Sequence, residues 1–160
     1  MKNFMRAKTD LTEVALVRLT PDHLKETAEI ESLCFSEPWS EEALLYMCTS
    51  PHTYALAVMN KKSGAIMAYA GAEYVLDEAS IVNVATHPVH RRKGYASMLL
   101  RGLEEFLKEN GVRDVYLEVR ASNVGARTLY EREGYSPLGV RKNYYRFPVE
   151  DAIVMGKKIN

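Results

Sequence analysis

Apolar and polar positions alternate from Val14 to Leu19, the period of a half-buried strand. Thr20-Pro21-Asp22 then reads as a helix start, with Thr20 as N-cap and Pro21 in the first turn, where its missing N–H costs nothing. The helix is expected to run to about Leu33, its apolar positions supplied by Leu24, Ala28 and the stretch from Ile30. Cys34 to Trp39 breaks the helical period and reads as a loop. Ser40 is a suitable N-cap for a second helix opening Glu41-Glu42-Ala43-Leu44-Leu45.

The period then shortens. Tyr54 to Met59, Ala65 to Leu76 and Ala79 to Thr86 carry strand patterns, separated by turn signals at Asn60 to Gly64 and at Asp77-Glu78. Such short connections predict an antiparallel meander. After His87-Pro88 the period lengthens again. Tyr95, Met98, Leu99, Leu103, Phe106 and Leu107 recur at spacings of three and four, an amphipathic helix closed by Asn110-Gly111. Val112 to Val119 returns to alternation, with Leu117 and Val119 on one face and Tyr116 and Glu118 on the other. Ser122 is expected to cap a last helix that reaches about Glu133 and ends at Gly134. Tyr135 to Tyr145 and Asp151 to Lys158 complete the pattern as a strand pair around a loop at Phe147-Pro148. The fold class is mixed α/β in one domain, spanning 13–160 behind a flexible polar extension at 1–12.

Composition changes this picture only in what it excludes. The chain has 160 residues and equal numbers of basic and acidic side chains, 21 of each, so it lacks the basic excess of a dedicated nucleic-acid binder. No apolar run approaches transmembrane length, and the basic N-terminal residues Lys2, Arg6 and Lys8 precede no apolar stretch of the kind a signal peptide needs. A cytoplasmic protein without membrane contact is expected, as a monomer or weak dimer. Cys34 and Cys48 form no metal-type cluster and read as buried free thiols in a reducing compartment. His87 and His90 resemble a ligand pair, but Pro88 denies them helical spacing and no third ligand follows, so no metal is expected.

Candidate chemistry centres on Arg91-Arg92-Lys93-Gly94-Tyr95-Ala96, a basic glycine-containing turn between a strand and a helix. Unpaired backbone N–H groups and the helix dipole favour an anion at such a place, and phosphate is the common one. A P-loop is excluded because no Gly-Lys-Ser/Thr follows, and a dinucleotide fingerprint because Gly94 stands alone. On the turn alone, a solvated basic helix start stands level with a ligand site.

The downstream order separates the two. Arg91-x-x-Gly94-x-Ala96 is followed by the amphipathic helix, by a strand ending Leu117-Glu118-Val119-Arg120, by Ser122-Asn123, and by Tyr130-Glu131-x-x-Gly134-Tyr135. This resembles the GCN5-related N-acetyltransferase (GNAT) superfamily, continuously from about Val75 onward. The Leu-Glu-Val-Arg-Ala-Ser-Asn segment, Arg141 to Tyr145, Glu150 to Ile153, and Pro38-Trp39-Ser40 resemble its RimI group, ribosomal-protein-alanine N-acetyltransferases. The resemblance implies a mostly antiparallel sheet with flanking helices, splayed at the cofactor site. It implies acetyl-CoA as co-substrate and, as acceptor, a protein N-terminus, the N-terminal alanine of a small-subunit ribosomal protein. Acetylation of lysine side chains or small amines, or a non-catalytic acyl-CoA-binding domain, are the alternatives.

Residue by residue, the resemblance assigns the cofactor pyrophosphate to Arg91, Arg92, Lys93, Gly94, Tyr95, Ala96 and Ser97. Ala96 stands where glycine is more frequent. Val84, Ala85 and Thr86 would run beside the pantetheine arm, and Asn123 would bind the cofactor. Glu118 would be the general base and Tyr130 the general acid. Strand parity alone favours a solvent-facing reading of Glu118, and a tyrosine on an amphipathic helix is ordinarily core. For the acceptor, Phe35, Pro38 and Trp39 after the first helix and Tyr144 and Tyr145 near the end are the candidates. Packing of Trp39 beneath the second helix is an equal reading, and the two tyrosines could be hairpin core.

Overall fold

The alternation at Val14, the meander and the two later strands join one seven-stranded sheet in a computed structural model that describes residues 11–159. The strands are β1 (Val14–Arg18), β2 (Thr53–Asn60), β3 (Ile66–Val75), β4 (Glu78–Thr86), β5 (Asp114–Arg120), β6 (Ser136–Tyr145) and β7 (Glu150–Lys158). Their order across the sheet is β1-β2-β3-β4-β5-β7-β6. All neighbours are antiparallel except β4 and β5. Parallel pairing needs a crossover, and α3 (Tyr95–Glu109) supplies it.

The sheet separates two apolar clusters. On one face, Leu99, Leu100, Leu103 and Leu107 of α3 pack with Leu56, Val58, Ile81, Val115, Leu117 and Val119, and α4 (Val124–Arg132) adds Tyr130. On the other, α1 (Leu24–Cys34) and α2 (Glu41–Thr49) bring Ile30, Leu44 and Met47 against Ala55, Ala57, Tyr69 and Ala85. Period-two alternation produces this division: Leu56 and Val58 face one layer, Ala55 and Ala57 the other. Where α3 crosses β1 and β2, a Cβ on Gly102 would lie 2.5 Å from a methyl of Leu16 and 2.9 Å from one of Leu56.

Three sequence expectations shift. Residues 1–10 of the expected extension lie outside the described residues, while Leu11–Glu13 form a 3-10 turn leading into β1. The cap of α4 is Asn123 rather than Ser122: its side-chain oxygen accepts the Ala126 N–H at 3.1 Å. Both residue types can cap, and the backbone path selects the later one. Cys34 and Cys48 are free but only half-buried, because each sits on the flank rather than the centre of its helix's apolar face. Ser40 caps α2 as expected, accepting from Ala43.

Candidate active site

The site begins as a failure of strand pairing. β4 and β5 share three register positions, Glu78 to Ser80 against Asp114 to Tyr116, and then part. The divergence starts where β4 carries an extra residue. Ala72 pairs with Ile81 and Gly71 with Asn83, leaving Val82 as a bulge. A bulge bends its strand and increases local twist, which turns the rest of β4 away from β5. Antiparallel hydrogen bonds alternate in direction along a strand. His87 donates its N–H to the Met67 carbonyl on β3, so the backbone groups of Val84 and Thr86 face away from β3: Val84 faces the gap, while the Thr86 carbonyl accepts from the Cys34 thiol at 3.3 Å. Ala85 instead turns its backbone to β3 and buries its side chain.

A cavity of about 530 Å³ fills the gap. Val84 contributes from β4, Glu118 from β5, Asn123 and Tyr130 from α4, Phe35 and Trp39 from the α1–α2 loop, and Tyr144 and Tyr145 from β6. Candidates from five separate stretches of sequence therefore meet in one place. Pro38, Ala85 and Thr86 do not line it, nor does the basic turn.

The basic turn leads from the end of β4 into the start of α3. Gly94 is the N-cap with φ +83, and no side chain caps the helix there. Nothing lies within 4 Å of where a Gly94 Cβ would be, so the left-handed backbone, not space, calls for glycine. Uncapped first-turn N–H groups are the feature an anion needs. Ser97 and Tyr95 contribute backbone more than side chain: the Ser97 hydroxyl lies by Glu133, and Tyr95 is buried. Arg91 and Arg92 are exposed, with one Arg91 nitrogen 3.6 Å from the Cys34 sulfur. Lys93 reaches His90 Nδ1 at 3.2 Å. Burial, helped by Lys93 and His87, holds the His90 imidazole below its usual pKa.

Tyr130 is 8% exposed, and burial pushes its phenol up to about 12. Among the described residues its hydroxyl has no hydrogen-bond partner. Its ring meets Tyr135 edge-on at 6.1 Å. Tyr135 is held in turn by Glu104, which accepts the phenol at 2.9 Å and pairs with Lys157 at 3.0 Å. Glu118 alternates out of the core as its parity requires and pairs with Arg141 at 3.3 Å. On the acceptor side, Arg120 donates to the carbonyls of Arg146 and Pro148, pairs with Glu150 at 3.3 Å and lies over the Tyr145 ring at 4.5 Å. That clamp fixes the β6–β7 hairpin beside the cavity. Trp39 combines both sequence readings: it packs on the α1–α2 cluster and lines the cavity.

Sequence reasoning missed Glu31. This α1 glutamate has no exposed surface, yet it lines the cavity. One carboxylate oxygen accepts from Asn83 Nδ2 at 2.6 Å and from the Trp39 N–H at 3.3 Å, and the Tyr69 phenol beside the carboxylate also favours its charged form. Burial raises its pKa, while these hydrogen bonds oppose the rise. Its only sequence signal is a charge at an apolar position of an amphipathic helix, which strand and loop partners far along the chain convert into a buried network.

The comparisons with known proteins agree with this geometry. A model of the Acetyltransferase (GNAT) family matches residues 24–135. A curated relative from Escherichia coli (strain K12), named [Ribosomal protein bS18]-alanine N-acetyltransferase, is 37% identical over 133 residues, covering 82% of this chain and 88% of that protein. The crystal structure of the ribosomal-protein-S18-alanine N-acetyltransferase from Escherichia coli superposes with a TM-score of 0.84 at 33% identity, covering 92% of this chain and 94% of the other. Arabidopsis thaliana NAA60, crystallised in complex with acetyl-CoA, shares the fold at a TM-score of 0.84 and 18% identity, covering 92% of this chain and 99% of its own. A splayed sheet, an uncapped basic helix start and a matched family sequence converge: the chain belongs to the GNAT family and is an acetyl-CoA-dependent N-acetyltransferase.

Proposed function

We propose that this enzyme acetylates the N-terminal α-amine of a protein, and that its acceptor is the N-terminal alanine of ribosomal protein bS18. The observation that carries the reading is the single cavity in which Glu118 and Tyr130 share space with the acceptor-side Phe35, Trp39, Tyr144 and Tyr145. The names of relatives at about one-third identity support the acceptor.

Acetyl-CoA supplies an activated acetyl thioester. The rest is asked of the chain. A free α-amine has a pKa of roughly 7.7 to 8.0, so much of it is protonated at neutral pH. Glu118 takes the proton, directly or through one water, so that the amine nitrogen can attack the thioester carbonyl carbon. The Val84 N–H, facing the gap, is placed to donate to the carbonyl oxygen as charge develops on it. As the C–S bond breaks, Tyr130 gives its proton to the departing sulfur, the nitrogen sheds its second proton to water, and the phenolate is reprotonated from water. A phenol pushed up to about 12 remains protonated throughout the neutral range, as a proton donor must. The uncapped start of α3, with Arg91 and Arg92 exposed beside it, holds the pyrophosphate. Asn123 spends its side-chain oxygen on the helix cap, leaving its NH₂ as the group that can reach cofactor.

The test is a panel of peptides differing in their first residue, together with an N-blocked lysine peptide. Each is incubated with acetyl-CoA and read by intact mass. Preference for the alanine-first bS18 sequence is expected. Faster acetylation of the blocked lysine peptide would overturn the reading.

A further inference from the structure

Glu31 joins three parts of the molecule that the chain leaves far apart. It belongs to α1. Its carboxylate holds the Trp39 N–H at 3.3 Å in the α1–α2 loop and Asn83 Nδ2 at 2.6 Å on β4, with the Tyr69 phenol on β3 beside it. Asn83 also donates to the Tyr69 oxygen at 3.1 Å, which brings β3 into the same network. Asn83 follows the Val82 bulge and precedes Val84, whose N–H faces the gap. Trp39 and Phe35 line the acceptor side of the cavity. Among the described residues the second Glu31 oxygen is buried with no hydrogen-bond partner. A fully buried carboxylate with one oxygen unpaired costs stability unless it serves something. Here the oxygen that is paired ties the acceptor loop to the strand that lines the reaction gap.

We propose that Glu31 is a positioning residue for the acceptor: it locks the Phe35–Trp39 loop onto β4 at the mouth of the splay, so that acceptor binding and the Val84 N–H keep one geometry. It touches no reacting atom. The proposal rests on the acceptor-side reading given above for that loop, and one of its tests does not depend on any acceptor. Trp39 is the only tryptophan in the chain, so fluorescence excited at the red edge, where its ten tyrosines do not absorb, reports the loop alone.

Removing the acceptor oxygen frees the Trp39 backbone and leaves Asn83 to find other partners. Glu31→Ala is expected to make Trp39 about twofold more quenchable by acrylamide and to raise the KM for the acceptor peptide about tenfold, the scale of one lost buried hydrogen bond to a charged group. The KM for acetyl-CoA should stay within about twofold, because the pyrophosphate turn is built from separate residues. Glu31→Gln retains an acceptor oxygen and should behave like the parent in both measurements.

If Glu31→Ala fails to fold, the role-reversing pair decides. Asn83→Asp sets a second carboxylate against Glu31 and should show the same quenching and peptide-KM defects; adding Glu31→Gln restores a donor–acceptor pair and should rescue both. Unchanged quenching in folded Glu31→Ala, an equal rise in both KM values, or failure of the double variant to recover would each overturn the proposal. A parent enzyme that ignores α-amine peptides would sink the acceptor reading instead, leaving the quenching result to judge Glu31.

Discussion

Replacing Tyr130 with phenylalanine separates catalysis from stability, because the structure sets the two effects in opposite directions. The ring stays where it is: it is 8% exposed, packed against Tyr135 at 6.1 Å, in a cluster that also holds Leu117 and Val119. The substitution removes one hydroxyl, and among the described residues that hydroxyl has no hydrogen-bond partner. Burying an unpaired hydroxyl costs roughly 1–3 kcal/mol on the scale of protein mutations, less whatever contact the cavity water supplies. Tyr130→Phe is therefore expected to leave stability unchanged or to raise it by up to about 1 kcal/mol, which is a Tm rise of about 2–4 °C at this chain length. Loss of a general acid lowers turnover by about 10²–10⁴-fold, or about 3–5 kcal/mol in the barrier. The acetyl-CoA dissociation constant should move by less than about threefold, since the proposed role puts the hydroxyl at the departing sulfur and not at the pyrophosphate. The sign of the pH effect follows from the same burial. Tyr69 and Tyr135, also raised by burial, lose stability at high pH in parent and variant alike; Tyr130's own share, with the native phenol at about 12 and the unfolded one near 10, is intact below pH 10 and is lost as pH rises from about 10 to 12, by about 2.7 kcal/mol at most. That loss should be absent from the variant. The assays are steady-state kinetics, calorimetric binding of acetyl-CoA, and thermal melts at pH 8 and above pH 10. Turnover within about threefold of the parent would remove Tyr130 from proton donation. A drop in Tm of several degrees would show instead that the hydroxyl is held by a partner that the geometry does not reveal.

Glu118→Gln should lower kcat/KM most below the acceptor amine's pKa of about 8, where free amine is scarce; a pH–rate profile parallel to that of the parent would dismiss the base role. Gly94→Ala forces an L-residue to φ +83 with empty space around its methyl, so the cost is backbone alone, about 1–2 kcal/mol. It should appear as weaker acetyl-CoA binding by calorimetry together with a lower Tm, and unaltered binding would show that the left-handed cap is dispensable. Gly102→Ala sets about 1 kcal/mol of helix propensity against about 1–3 kcal/mol of crowding from Leu16 and Leu56. Urea unfolding should find the variant less stable, and a stabilised protein would mean that those leucines repack freely.

The elements that sequence reveals are those whose causes are local. The spacing of Leu99, Leu103 and Leu107 places α3, Ser40 starts α2 by a cap it makes itself, and the parity of Leu117 and Val119 turns Glu118 out of the core. The site needs more than local causes. No single residue around Val82 announces a bulge; it exists because β3 and β4 pair in a register that leaves one residue over. Glu31 differs in sequence from its neighbours Glu26 and Glu29 only by falling at an apolar position of α1, yet it alone of the three is buried, against an asparagine 52 positions away. The cap of α4 illustrates the finer limit: Ser122 and Asn123 are both competent, and the chain's path out of β5 chooses. The candidate catalytic pair became legible through the joint order of motifs rather than through either residue's own surroundings.

The three-rung contact between β4 and β5 has a consequence for the sheet as a whole. A sheet normally exposes unpaired strand margins only at its two ends, here β1 and β6. This one carries two more in its middle, facing each other across the cleft. Open margins are templates for adventitious pairing between molecules, and most proteins blunt them with charge or short strands. Here the α1–α2 loop and the Tyr144-Tyr145 segment stand over the cleft, so another protein's sheet cannot slide in while a slender extended ligand can. The enzyme thus keeps a latent vacancy for one further strand, screened by the same segments that line the cavity.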